Sequence, residues 1–121
     1  MLKRVRLELA RTKEHPEGAA NIGYDFIAPL LADGHIDADS WHKLKEKCRV
    51  IRFRPDEKEE VGHLVRKPGG SWAFHYDIHG DLDDDESGYR FAAHPFVAGE
   101  YVSVREDDEL TTYRVADVRP A

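Results

Sequence analysis

The sequence predicts a mainly β protein: an antiparallel meander of about 7–8 strands forming a small barrel or sandwich, with one short α-helix over about residues 38–47. Three observations carry this. Alternation of apolar and polar residues recurs in segment after segment, the signature of half-buried strands. The gaps between these segments are short and turn-forming, which favours antiparallel neighbours because parallel ones need a long crossover. Only one stretch changes to helical spacing.

In "LKRVRLELA", Val5, Leu7 and Leu9 fall on one side and Arg4, Arg6 and Glu8 on the other, so the chain opens with a strand. After a loop rich in Pro, Gly and Asn, "GYDFIAP" is a second strand, ended by Pro29, which has no N–H to give a ladder. In "DADSWHKLKEKC", Trp41, Leu44 and Cys48 recur at three and four residues, with Asp37 or Asp39 placed to cap the helix. "CRVIRF", "EVGHLVRK", "SWAFHYDI", "EYVSVRE" and "LTTYRVADV" supply five further strands, and "GYRF" an extra one. They are separated by "PDEKEE", "KPGGS", an acidic loop, "HPFVAG" and "EDDE", all turn chemistry.

At 121 residues, 40% hydrophobic and 35% charged, residues 1–121 read as one soluble domain with a core that needs no staples. Cys48, the single cysteine, has no partner for a disulfide, which suits a reducing compartment and hence the cytoplasm. Charges scattered through the first thirteen residues exclude a secretory signal, and no apolar run is long enough to span a bilayer. The net charge of −6 is unevenly placed: Asp81, Asp83, Asp84, Asp85 and Glu86 fall within one short loop, and further acids cluster around Glu57 and over 106–109. All three clusters read as solvated turns.

The sharpest candidate for chemistry is "SWAFHYDIHG". Trp72, Phe74, Tyr76 and Ile78 share one face, and burying them is worth roughly 1.5–3 kcal/mol each, so that face points inward. His75, Asp77 and His79 then project together from the other face. Imidazole and carboxylate ligands suit zinc or iron, and the spacing resembles the two-histidine, one-carboxylate set of non-haem iron oxygenases, with His63 or His94 completing it. The longer ligand pattern of cupin-type barrels, with its glutamate and later histidine, is missing at the expected places. The competing expectation is a wet outer face. The hairpin at "KPGGS" decides where His63 lies: a two-residue loop turns Val61, His63 and Val65 inward, and a three-residue loop turns Leu64 inward and sends His63 to join His75 and Asp77. Two valines against one leucine favour the first.

The loop "DLDDDES" places Asp81, Asp83 and Asp85 like the first ligands of a calcium loop, but Glu86 stands where the turn glycine belongs and Ala92 where the bidentate glutamate belongs. A solvated loop is the favoured expectation there. Arg4 and Arg6 share one parity, as do Arg52 and Arg54, so on neighbouring strands the four would form an anion-binding stripe. Against nucleic acid stand the pI near 5.6 and the acidic turns. Cys48 reads as a buried, inert thiol, Trp41 as the helix's anchor, and Tyr101 and Tyr113 as core or rim aromatics.

"GEYVSVREDDELTTYRVADV" resembles the closing hairpin of small β-barrels of the PUA-like kind, which implies the barrel and no activity. "ARTKEHPEGAANIGYDFIAPLLADGHIDADSW" with "GHLVRKPGGSWAFHYD" is similar to small bacterial conserved hypothetical proteins, domains of unknown function with no assigned chemistry. The first expectation is therefore a non-enzymatic barrel that binds a small ligand or protein partner where the outward face of residues 71–79 meets the acidic loop. The alternatives are a metal-dependent enzyme built on His75, Asp77, His79, His63 and His94, and an anion- or nucleic-acid-binding barrel built on Arg4, Arg6, Arg52 and Arg54.

Overall fold

The computed structural model describes residues 1–121. Eight strands, β1 (Leu2–Leu9), β2 (Ala19–Pro29), β3 (Arg49–Phe53), β4 (Glu60–Arg66), β5 (Trp72–His79), β6 (Glu86–Tyr89), β7 (Tyr101–Glu106) and β8 (Glu109–Pro120), form a closed barrel in sequence order. In a meander, odd and even strands run oppositely, so an even number brings the first and last together antiparallel, as β1 and β8 are here. Closure leaves no free edge to template aggregation. The expected barrel and single helix are both present, and β2 begins four residues earlier than the strand read at Gly23. No helix is long and apolar enough to cross a membrane.

Alternation places Val5, Leu7, Tyr24, Phe26, Val50, Leu64, Phe74, Val104 and Val115 in the lumen, all essentially without solvent contact. An eight-strand barrel is just wide enough for such side chains to fill. Rings dominate: Tyr24 and Phe26 lie 4.9 and 5.4 Å from Phe74, centroid to centroid.

One end of the lumen is plugged. Helix α1 (Ala38–Leu44) is capped by Asp37, which accepts from the Ser40 backbone N–H at 3.2 Å and from its hydroxyl at 2.7 Å. Trp41 is the only fully buried residue of the helix. It meets Trp72 edge-on at 5.1 Å and donates its indole N–H to the Leu64 carbonyl at 3.0 Å. Phe91 and Phe96 fold in from the loop after β6, 5.1 Å apart, and the Phe96 N–H donates to the Gly34 carbonyl at 2.8 Å, stitching two loops across this end. The anchor role expected of Trp41 is met.

The β4–β5 hairpin departs from the favoured sequence reading. Arg66 pairs with Trp72, Leu64 with Phe74 and His63 with His75, so the loop is the three-residue one and Leu64, not His63, faces the core. Gly69 and Gly70, both at φ +90°, supply the left-handed residues that such a loop needs. Counting apolar residues misled because the outside of β4 is itself partly covered: Val65 lines an outer groove together with Trp41 and Lys45.

A second departure lies at the far end of β5. Pairing jumps from His63–His75 to Val61–His79, so three β5 residues pass the single Gly62. Trp72, Phe74 and Tyr76 stay buried as expected, but the irregularity turns Ile78 out to 49% exposure. Gly62 permits it, since a Cβ there would sit 1.8 Å from the His75 carbonyl oxygen.

Two substitutions test this frame. Gly62→Ala drives a methyl into backbone and is expected to cost about 3 kcal/mol or more in urea denaturation. Trp41→Ala unplugs the closed end at about 3–5 kcal/mol.

Candidate functional site

The opposite end of the barrel is built from different residues. Strand alternation continues past the apolar layer: Val50 is followed on the same face by Arg52 and Arg54, Val104 by Glu106, Phe26 is preceded by Tyr24, and Val115 by Tyr113. Glu86 pairs with Phe74 across β5–β6 and so shares its inward side. The aromatic and charged groups therefore meet inside the mouth, between the turns after β1, β3, β5 and β7.

Their geometry is closely knit. Tyr76 donates to Glu86 Oε1 at 2.5 Å, and the Tyr24 hydroxyl stands 2.9 Å from that oxygen and 2.5 Å from Glu106 Oε2. Glu106 Oε2 also accepts from Tyr113 at 2.5 Å and from an Arg54 terminal nitrogen at 2.7 Å. Arg54 further donates to the Gly23 carbonyl and the Tyr113 hydroxyl, and its guanidinium lies 5.4 Å from the Tyr24 ring centroid. Arg52 is held more loosely, with carboxylate oxygens of Glu86, Glu60 and Glu57 at 3.4, 3.6 and 3.7 Å. Its Nε is buried and makes no hydrogen bond.

The two carboxyl groups are tuned apart. Burial raises the pKa of Glu86, outweighing the opposing effects of the Tyr76 hydrogen bond and the Arg52 charge. Burial also works against an ionised Glu106, but hydrogen bonds from Tyr113 and Tyr24 and the charge of Arg54 hold its pKa below the ordinary value. All three phenols are pushed up, chiefly by burial, so they remain donors.

Two clefts open over this cluster. One, of about 410 Å³, is walled by Arg52, Glu60, His79, Asp84, Glu86 and Glu106 among others, with no hydrophobic residue. The second, of about 460 Å³, lies beside the turn after β1 and is reached by Arg54, Glu106 and Tyr113. Glu106 borders both.

The residues expected to ligate a metal are placed differently. His63 and His75 are cross-strand partners on the outer face, as the three-residue hairpin requires, but each ring turns to its own acid. His63 Nδ1 is 2.8 Å from Asp77, and His75 Nδ1 is 2.6 Å from Asp85, which is also paired with Lys67. Although partial burial opposes it, the hydrogen bonds from Lys67 and His75 hold Asp85 below the usual carboxylate range. His79 lies at the rim of the mouth, its Nδ1 3.0 Å from the Glu59 carbonyl oxygen. His94 belongs to the turn after Phe91, outside the β4–β5 face. No three histidine, cysteine, aspartate or glutamate side chains converge to hold an ion, in the acidic loop or elsewhere. The loop is also less uniformly wet than its composition suggests, because Asp85 joins His75 and Glu86 turns inside.

The proposed arginine stripe is divided. β2 separates β1 from β3, and alternation sends Arg4 and Arg6 outward while Arg52 and Arg54 point into the mouth. Arg6 is engaged by Glu8 at 2.8 Å and by Asp25 at 3.1 Å, over the Phe53 ring. Arg4 instead shares a shallow outer groove with Arg49. Sequence reasoning missed Glu86 and Glu106 because both sit in acidic runs that read as solvated turns. The signal was present in strand parity, since Glu106 continues the inward series of Val102 and Val104.

No protein-family model, curated protein or solved structure matches this chain, so the chemistry of the mouth rests on its own residues.

Glu106→Gln is expected to cost about 3 kcal/mol by leaving Arg54 without its charge partner. Because the folded pKa of Glu106 is depressed, its stabilising contribution is present above the unfolded value and fades as pH falls through the folded one. Urea melts across acidic pH should therefore show the wild-type advantage over Glu106→Gln shrinking as the solution is acidified.

Proposed function

We propose that this chain is a small cytoplasmic binding barrel that takes a small polar ligand, or a side chain of a protein partner, into its open charged end, acting by occupancy and not by turnover. The observation that carries the reading is the contrast between the two ends of one lumen. The plugged end is filled with rings and aliphatic side chains, which is all that folding requires. At the open end, buried ionic groups contribute little net stability relative to an apolar filling of the same shape, yet six strands deliver Tyr24, Arg52, Arg54, Tyr76, Glu86, Glu106 and Tyr113 to it beneath two clefts. Specificity in binding sites comes from a few fixed polar groups of this kind.

Carboxylates outnumber bases around the cleft beside Arg52 and Glu86, which disfavours a polyanion such as nucleic acid. The outer face carries Arg4, Arg6, Glu8, Asp25, His63, His75 and Asp77 where a membrane barrel would present an apolar band. Cys48 is the one cysteine and forms no disulfide, and burial pushes its thiol up to about 11, so it stays protonated.

Amide chemical shifts of the labelled chain, followed against a panel of small amines, carboxylates and amino acids, provide the test. Perturbations are expected at residues 57–60, 79–84 and 106–108, and Arg52→Met should weaken the binding at least tenfold. Binding that maps to the plugged end or to the His63–His75 face, or a panel that moves nothing at millimolar concentration, would count against the reading.

A further inference from the structure

Tyr24 stands between two carboxyl groups with one proton to give. Its hydroxyl is 2.5 Å from Glu106 Oε2 and 2.9 Å from Glu86 Oε1. Glu106 Oε2 is the nearer acceptor and also collects Tyr113 and Arg54, so it is the ionised oxygen toward which the Tyr24 proton points. The Tyr24 and Glu86 oxygens then face one another at 2.9 Å with no proton between them, unless Glu86 brings one. Two such oxygens repel, and in a buried site little water is present to screen them. Tyr76 cannot fill the gap, because its single proton is already directed at Glu86 Oε1 at 2.5 Å.

We propose that Glu86 and Glu106 hold one proton between them through Tyr24, with Glu86 a neutral carboxylic acid at neutral pH and Glu106 ionised. The cluster becomes a one-way chain: Tyr76 donates to Glu86, Glu86 to Tyr24, and Tyr24 to Glu106. Glu86 is 6% exposed and lines the cleft of about 410 Å³, so this neutral group faces whatever enters. A cation entering there meets a neutral acid and must first displace the proton that Glu86 gives to Tyr24.

The groups facing Glu86 come from every strand around the mouth except β1, which contributes leucines. Tyr24 on β2, Tyr76 on β5 and Tyr113 on β8 are neutral, and Glu60 on β4 and Glu106 on β7 disfavour a second negative charge. The opposing influences are the Tyr76 hydrogen bond and the charge of Arg52 on β3; that charge is divided among three carboxylates, and the Arg52 Nε forms no hydrogen bond. Burial acts in the same direction as the proposal, raising the Glu86 pKa.

Carboxyl ¹³C resonances of the glutamate-labelled full chain read the proton directly, and the inference does not depend on any ligand binding to the mouth. At neutral pH one glutamate is expected to show the shift of a neutral acid, to vanish in Glu86→Gln, and to titrate about one unit or more lower in Glu106→Gln, where the neighbouring like charge is gone. If Glu86→Gln does not fold, through-bond correlation to the Glu86 backbone assigns the resonance in the wild-type chain. An ionised shift for Glu86 at neutral pH, or a neutral signal that survives Glu86→Gln, overturns the shared proton. A ligand survey that moves nothing leaves this titration unchanged, so the two readings fail separately.

Discussion

Closure of the sheet is the constraint on which the rest of the molecule depends. Once β8 has joined β1, every strand has an inside and an outside, and every second side chain must fit a lumen no wider than a layer of side chains. The rings of Phe26, Phe74 and Tyr24 meet there because large residues on facing strands are the most economical filling of a narrow tube. The same alternation that buries Val50 and Val104 has no means of stopping at the end of the apolar layer. It carries Arg52, Arg54 and Glu106 into the mouth, where burial obliges them to find partners.

The two ends answer that obligation differently. At one, the connection between β2 and β3 is long enough to fold into a helix, and Trp41 and the loop bearing Phe96 seal the lumen. At the other, the loop after β3 is charged and the turn after β7 is only two residues long, so neither offers an apolar plug and polar groups satisfy one another. Tyrosine suits this boundary, presenting a ring to the core layer and a hydroxyl to the carboxylates above it. An uneven supply of protons between Glu86 and Glu106 follows from the same confinement.

The outer face shows what solvent access changes. His63, Asp77, His75, Asp85 and Lys67 are also a cluster of titratable groups, yet they resolve into one pair and one small triad on a surface where water screens whatever is left over. Inside, Tyr24, Tyr76, Glu86 and Glu106 are buried enough that they take one another as hydrogen-bond partners in a chain. Location, more than residue identity, separates a surface ion pair from a candidate site.

Much of the architecture was legible in the sequence, because alternation, turn residues and one change of period are local properties: they yielded the strands, the helix, its Asp37 cap and the inward set of Trp72, Phe74 and Tyr76. Local pattern could not decide matters that depend on what lies opposite. The side to which His63 turns was set by the loop geometry of two glycines, and the exposure of Ile78 by an irregularity at Gly62. Glu86 and Glu106 read as turn acids because a carboxylate in an acidic run normally remains in water. Only the closed barrel, by pairing Glu86 with Phe74 and bringing β2, β7 and β8 around the same axis, supplied the tyrosines and arginine that let both stay inside.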